Sequence, residues 1–259
     1  MSGDFLKTIA KHKLETIKAK TVYYENLKKN MKIKQRRYEV FKKAISRPGQ
    51  INLIAEIKKA SPSAGLIRED FNITQIIKTY VKHKAAAISV LTEDKYFLGK
   101  FAYLKRASDE SQLPTLMKDF IIHEYQIYEG AFYGASAILL IVDMLSDTQM
   151  QDLMAVAHFL GLDCLVEVHQ EDEIQRALDV DAEIIGINNR NLKTLEVDMG
   201  NCLRMIKEVP AGKIIVAESG LKTRGDIKAV QESGAHAVLI GETFMRAHDI
   251  GAKMKEMMG

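Results

Sequence analysis

The sequence predicts an α/β fold, a single (β/α)8 TIM barrel with an N-terminal helical extension. Three observations point there: eight short apolar runs rich in β-branched residues, helical periodicity between them, and no glycine-rich dinucleotide fingerprint after the first run. The last of these disfavours an open doubly wound sheet of eight strands.

The runs are 52–58 (NLIAEIK), 86–91 (AAISVL), 115–119 (TLMKD), 137–142 (AILLIV), 163–168 (DCLVEV), 183–188 (EIIGIN), 213–218 (KIIVAE) and 237–240 (AVLI). They are short and largely apolar, and most end on a polar residue, as strands buried in a parallel sheet do. Between them, Ile73, Ile76, Ile77, Tyr80 and Val81 follow the i, i+3, i+4 stripe of an amphipathic helix. Leu153, Met154, Ala157 and Leu160 repeat it, with Ser146 or Asp147 as the cap and Gly161 as the stop. Gly134 and Gly234 close the helices before the fourth and eighth runs. Residues 1–48 then form the extension, where Leu6, Ile9, Leu14 and Ile17 share one helical face and Phe41, Ala44 and Ile45 another. Residues 49–259 form the barrel.

Composition narrows the function classes. The 259 residues are 47% hydrophobic and 27% charged with a net charge of +3, which excludes a disordered chain. No run approaches the length of a membrane span, and the charged N-terminus lacks the apolar stretch of a signal peptide. Two cysteines, Cys164 and Cys202, make no disulfide framework, and no Cys/His cluster has zinc spacing, so a reducing cytoplasmic setting is expected. The net charge hides an asymmetry. Residues 1–50 carry 11 Lys and 3 Arg against 4 acidic residues, which leaves the remainder acidic. Such an arm can mark nucleic-acid binding. Its helical period instead favours a pair of amphipathic helices docked on an acidic domain, close to a site for an anionic substrate.

In a barrel of this kind the active site lies at the C-terminal ends of the strands. That position collects Glu56 and Lys58 from the first run, Lys118 and Asp119 from the third, Glu167 from the fifth, Asn188 from the sixth, and Glu218 and Ser219 from the seventh. Glu56 and Lys58 are two apart and share a face. Two lysines among three carboxylates suit proton transfer. Crowding is expected to lower the lysine pKa values and burial to raise a carboxylate's, and a Schiff-base role for a lysine stays open. The glycines of 217–220 (AESG) and 240–243 (IGET), the hydroxyls of 61–65 (SPSAG) and the guanidinium of Arg190 together point to a phosphorylated small substrate.

These residues stand in blocks that resemble the signatures of the indole-3-glycerol phosphate synthase family. The blocks are 54–63 (IAEIKKASPS), 91–97 (LTEDKYF), 116–121 (LMKDFI), 165–169 (LVEVH), 186–192 (GINNRNL), 217–220 (AESG) and 239–242 (LIGE), in that order. The first and third are the most specific. The resemblance implies a tryptophan-pathway lyase that turns 1-(2-carboxyphenylamino)-1-deoxyribulose 5-phosphate into indole-3-glycerol phosphate, releasing CO2 and water without metal or organic cofactor. It implies Lys118 as general acid for ring closure and Lys58 as holder of the benzoate carboxylate. Glu167 is then the acid–base group of the closing steps, Glu56 orients the lysines, and Asn188 and Glu218 bond sugar hydroxyls or developing charge. Which lysine protonates the leaving hydroxyl stays open.

Phosphate binding falls by the same resemblance to Ser61, Arg190, Ser219, Gly220 and Gly241, with Glu242 contributing its amide, and Phe97 walls the anthranilate ring. Ala60 and Ala64 stand where some members have lysine, which leaves fewer cations near the phosphate. Ser136 and His236 replace common acidic residues at strand starts, where barrels keep stability rather than function. The expected partner is the small phosphorylated substrate, with no nucleic acid or membrane, for a monomer or weak homodimer. Two competing readings are an isomerase barrel acting on a related phosphoribosyl substrate and a barrel that has lost catalysis. The lysine pair on the first and third runs disfavours the first, and the full set of ionisable residues disfavours the second.

Overall fold

A computed structural model describes residues 5–31, 39–190 and 196–259. Its strands β1 (Asn52–Ile57), β2 (Ala87–Leu91), β3 (Thr115–Lys118), β4 (Ala137–Ile141), β5 (Asp163–Val168), β6 (Ile184–Asn188), β7 (Ile214–Glu218) and β8 (Ala237–Ile240) pair in parallel and close into a barrel. The closing seam is β1 against β8, with Ala55 level with Ile240. Each expected run is a strand, shorter by a residue where its end turns polar or enters a turn. Thus Lys58 and Asp119 lie just past β1 and β3, and Val142 opens a 3-10 turn.

Strand alternation divides the apolar residues into two sets. Ile54, Leu116, Leu139, Leu165, Val216 and Leu239 form one cluster inside the barrel, whereas Leu53, Ile88, Met117, Leu140, Val166 and Ile185 pack with the helices outside. Glu56, Lys118, Glu167, Asn188 and Glu218 have the parity of the inner set, so their side chains continue the interior stack towards the C-terminal mouth.

The connecting helices follow the periodicity. In α4 (Ile73–Lys82), Ile73, Ile76, Ile77 and Tyr80 are buried, while Val81 lies at the stripe's edge and is exposed. In α7 (Asp147–Phe159), Ser146 is the cap, accepting from the Gln149 amide at 3.2 Å while the Gln149 side chain returns the bond. Gly134, Gly161 and Gly234 take positive φ at +98°, +71° and +115°, the left-handed turn that ends a helix.

The extension touches both ends of the barrel. Its first helix, α1 (Phe5–Ala19), lies at the mouth, where Phe5 packs edge-on against Tyr96 and Phe120. The next, α2 (Thr21–Asn30), runs beside α6 (Glu124–Phe132), with the Tyr24 hydroxyl donating to Glu129 at 3.0 Å and Lys28 pairing with Glu124. Then α3 (Val40–Ile45) sits beneath the strand starts: the Phe41 and Lys42 amides donate to the Asp163 carboxylate at 2.9 and 3.0 Å. Phe41 and Ile45 are fully buried against the interior cluster. The face expected for α1 is rotated. Leu14 is 46% exposed and Lys13 is buried, because Lys13 Nζ reaches Asp119 at 2.6 Å past the end of β3. An ion pair, not a leucine, fills that position. Several lysines of the basic arm thus meet barrel acids, as docking on an acidic domain requires, and Lys42 joins them by pairing with Glu183 at 2.8 Å.

Because Phe41 plugs the floor of the barrel, Phe41→Ala should lower stability by about 3 kcal/mol in equilibrium urea unfolding. A loss below about 1 kcal/mol would show that the floor does not depend on this ring.

Candidate active site

The strand ends surround a cavity of about 630 Å³ whose lining includes Glu56, Lys58, Lys118, Glu167, Asn188 and Glu218. Lys118 is its centre. Its ammonium lies 2.6 Å from Glu167 Oε2 and 2.5 Å from Glu218 Oε2; both glutamates are buried and the lysine is partly buried, open to the cavity. Beside it, Lys58 Nζ pairs with Glu56 Oε1 at 2.7 Å. The Tyr80 hydroxyl donates to the Glu56 carbonyl at 2.8 Å and fixes the end of β1.

Two glycines make room for these carboxylates. A Cβ on Gly186 would collide with Glu218 Oε1, and one on Gly241 would collide with Glu56 Oε1. Gly186 is level with Glu167 on the neighbouring strand, and Asn188 is level with Glu218. Inside so narrow a barrel, two facing acids fit only where an adjacent strand carries no side chain.

The electrostatics depart from the simple expectation for crowded lysines. Burial disfavours the Lys118 charge, but Glu167, Glu218 and Glu56 outweigh it and raise its pKa above the ordinary lysine value. Carboxylates outnumber lysines here, so attraction between unlike charges wins over lysine–lysine repulsion. Burial also raises both glutamates, with opposite net results. Lys118 and His169 overcome burial at Glu167 and hold it below the carboxylate range. Glu218, with Lys118 on one side and two further carboxylates near, is pushed up to about 7. Its Oε1 has no hydrogen-bond partner among the described residues.

A second group of residues forms the opposite rim. Arg190 Nη1 is 3.4 Å from Ser63 Oγ, which is itself 3.4 Å from Ser61 Oγ, and the Ala64 amide donates to Ser61 Oγ at 3.2 Å. Ser219 and Gly220 turn through left-handed conformations at φ +63° and +76°. Serine rarely adopts that region, and here Asn189 Nδ2 holds the turn by donating to the Ser219 carbonyl at 2.8 Å. Gly241 precedes the short helix α11 (Glu242–Arg246). The Glu242 side chain is not idle: it pairs with Arg246 at 2.9 Å and Arg190 at 3.5 Å. Asn188 Oδ1 accepts the Arg190 amide at 3.0 Å, linking the rim to β6. Of the block over residues 186–192, Asn191 and Leu192 lie outside the described residues.

Phe97 reaches the same cavity, 6.0 Å from Phe120 between ring centroids, and Phe5 of α1 completes an aromatic side wall. Glu93 shapes the loop that carries Phe97, accepting the amides of Lys95, Tyr96 and Phe97 at 2.7–3.0 Å. Three lining residues carry no sequence signal of their own. Phe5 arrives from the extension, and Lys222 and Lys253 add cations that no spacing rule connects to the strand ends. A further pair, His169 and Glu173, stands four residues apart directly behind Glu167, a spacing that could have drawn attention to them.

Comparison with known proteins agrees with this geometry. A family model described as indole-3-glycerol phosphate synthase matches residues 6–257. The chain is 51% identical over 213 residues to the indole-3-glycerol phosphate synthase of Acetivibrio thermocellus, covering 82% of each chain. It is 44% identical over 257 residues to that of Ruminiclostridium cellulolyticum, covering 95% of this chain and 98% of the relative. Among solved structures, 3-hexulose-6-phosphate synthase from Salmonella typhimurium superposes with a TM-score of 0.65 at 12% identity, over 80% of this chain and 96% of the other. That likeness concerns the fold alone. The family match spans strands, site and extension together, and the chain belongs to the indole-3-glycerol phosphate synthase family.

Proposed function

We infer that the protein is an indole-3-glycerol phosphate synthase, acting on 1-(2-carboxyphenylamino)-1-deoxyribulose 5-phosphate in tryptophan biosynthesis. The observation that carries the residue assignment is Lys118, a partly buried ammonium paired with two carboxylates between an aromatic wall and a serine–arginine rim. The substrate has matching parts: an anionic aromatic ring, a polar sugar chain with a ketone, and a phosphate. With phosphate at Ser61, Arg190, Ser219, Gly220, Gly241 and the amide of Glu242, the ring lies towards Phe97 and the ketone towards Lys118. The rim arginine that holds Glu242 then exchanges a carboxylate for a phosphate.

In this reading the ring carbon bearing the carboxylate attacks the ketone while Lys118 gives its proton to the ketone oxygen. Loss of CO2 returns the bonding pair to the ring. The hydroxyl then takes a proton from one of the two lysines and leaves as water, and Glu167 takes the proton whose loss completes the indole. Lys58, steadied by Glu56, holds the benzoate carboxylate, and Asn188 positions the sugar hydroxyls. Glu218 adjusts the acid. With Glu218 neutral, Lys118 faces one anionic carboxylate fewer and gives up its proton more readily.

The same reading treats residues 1–48 as an extension over a barrel of residues 49–259. It makes the protein a cytoplasmic enzyme, a monomer or weak homodimer that binds neither nucleic acid nor membrane. Two buried free cysteines support the reducing compartment, and no described helix is long and apolar enough to cross a membrane.

Formation of indole-3-glycerol phosphate, followed by its indole absorbance, tests the activity; no turnover by folded protein overturns it. Lys118→Ala should lower kcat by roughly two to four orders of magnitude, and near-normal turnover would remove Lys118 as the acid. Since the Glu218 carboxyl titrates at about 7, kcat should decline as pH rises through that value. Glu218→Gln should flatten that limb, and an identical inflection in both enzymes would show that Glu218 is not its source.

A further inference from the structure

Behind Glu167 lies an ionisable pair that the mechanism above leaves unused. His169, one residue past the end of β5, is buried, with Nε2 at 3.1 Å from Glu167 Oε1 and Nδ1 at 3.7 Å from Glu173 Oε2. Glu173 belongs to α8 (Glu171–Asp179), and the same Oε2 accepts the His169 amide at 2.6 Å, so ring and backbone are held by one carboxylate. Both ring contacts are ion-pair approaches, and neither ring nitrogen makes a hydrogen bond among the described residues. Glu167 Oε2 is the oxygen that meets Lys118. The order is therefore Lys118, Glu167, His169, Glu173, a row of alternating charges running from the cavity to the first turn of α8.

The other charges near this row are accounted for. Glu218 on β7 and Glu56 on β1 act on Lys118, on the far side of Glu167. Arg176, further along α8, turns away to Asp147 and to the carbonyls of Val142 and Leu145. An imidazole with a carboxylate at each nitrogen is most stable when both nitrogens carry protons. We propose that His169 is a positioning residue, an imidazolium locked between Glu167 and Glu173 that keeps Glu167 ionised and so assigns the mobile proton of the Lys118 cluster to Glu218.

The asymmetry of the two glutamates supports this. Both are buried and both touch Lys118, yet only Glu167 has a second cation. Although burial opposes the His169 charge, Glu167 and Glu173 outweigh it and raise the imidazole to about 9. The inference rests on the reading of Glu167 as the base of the closing steps. A base that must be anionic when its turn comes is kept so by a cation that never enters the cavity.

Two measurements on the full-length protein test it. Histidine nitrogen NMR of the wild type should show His169 doubly protonated at pH 7.5; a neutral ring at that pH overturns the proposal whatever any variant does. The second measurement is the pH profile of kcat. Removing the cation lets Glu167 take a proton near neutrality, so the ratio of kcat at pH 5.5 to kcat at pH 8 should fall at least tenfold in His169→Gln, with KM at pH 8 within threefold of wild type. A variant that loses kcat equally at every pH would show a merely structural role and overturn the proposal. If His169→Gln fails to fold, the NMR result decides alone. Glu167→Gln separates the two layers: near-normal kcat in that variant would sink the role of Glu167 itself, whereas a lost kcat with an unmoved His169→Gln profile would sink only the part given to His169.

Discussion

Lys118 carries its charge at the mouth of a barrel, largely shielded from water, and much of the site follows from that constraint. An ammonium buried alone would shed its proton; two carboxylates at hydrogen-bond distance prevent it. Two carboxylates that close repel each other, so one must be relieved. A cation behind Glu167 relieves one, and a raised affinity for protons relieves the other. Gly186 on β6 and Gly241 just past β8 answer the same need in space, since an alanine at either would displace the glutamate it faces. The barrel's narrow bore, its glycines and its charge order are one problem solved at three scales.

Chemistry sets the direction in which this balance is used. An acid held too firmly does not donate, and a base held too firmly does not accept. The site keeps a strong ion pair at rest, and beside it burial and neighbouring carboxylates push Glu218 up to about 7. In the proposed reading, a substrate carrying a carboxylate and a phosphate alters the field around Lys118 and Lys58. On the rim, Glu242 pairs with both Arg190 and Arg246.

Strand positions and inward-facing acids were legible because alternation in a parallel barrel is strict. Glu56, Lys118, Glu167, Asn188 and Glu218 share the parity of Ile54, Leu116, Leu165 and Val216, and any reader of the pattern places them inside. The sign of the lysine shift was not legible, because it depends on how many carboxylates lie within a few ångströms, a count set by register rather than by spacing. The rotation of α1 was hidden for a related reason. Lys13 looks like a solvent-facing residue until Asp119, more than a hundred residues away, is seen to need it. In the sequence Gly241 reads as a phosphate glycine and Gly186 as one more residue of the sixth run. Their use as space for Glu56 and Glu218 exists only once neighbouring strands are in register.

The extension has a kinetic consequence. Tyr24 finds Glu129 105 residues later, and Phe41 finds Asp163 122 residues later. On a ribosome adding about 5–20 residues per second, Phe41 therefore waits roughly 6–24 s for its partner to be made. During that interval Ile9, Ile17 and Phe41, all buried in the finished protein, have no barrel to cover them. The helices that are translated before the barrel are then the ones that must dock late, and the lysines crowded between their apolar residues keep the waiting segment charged and apart from its copies.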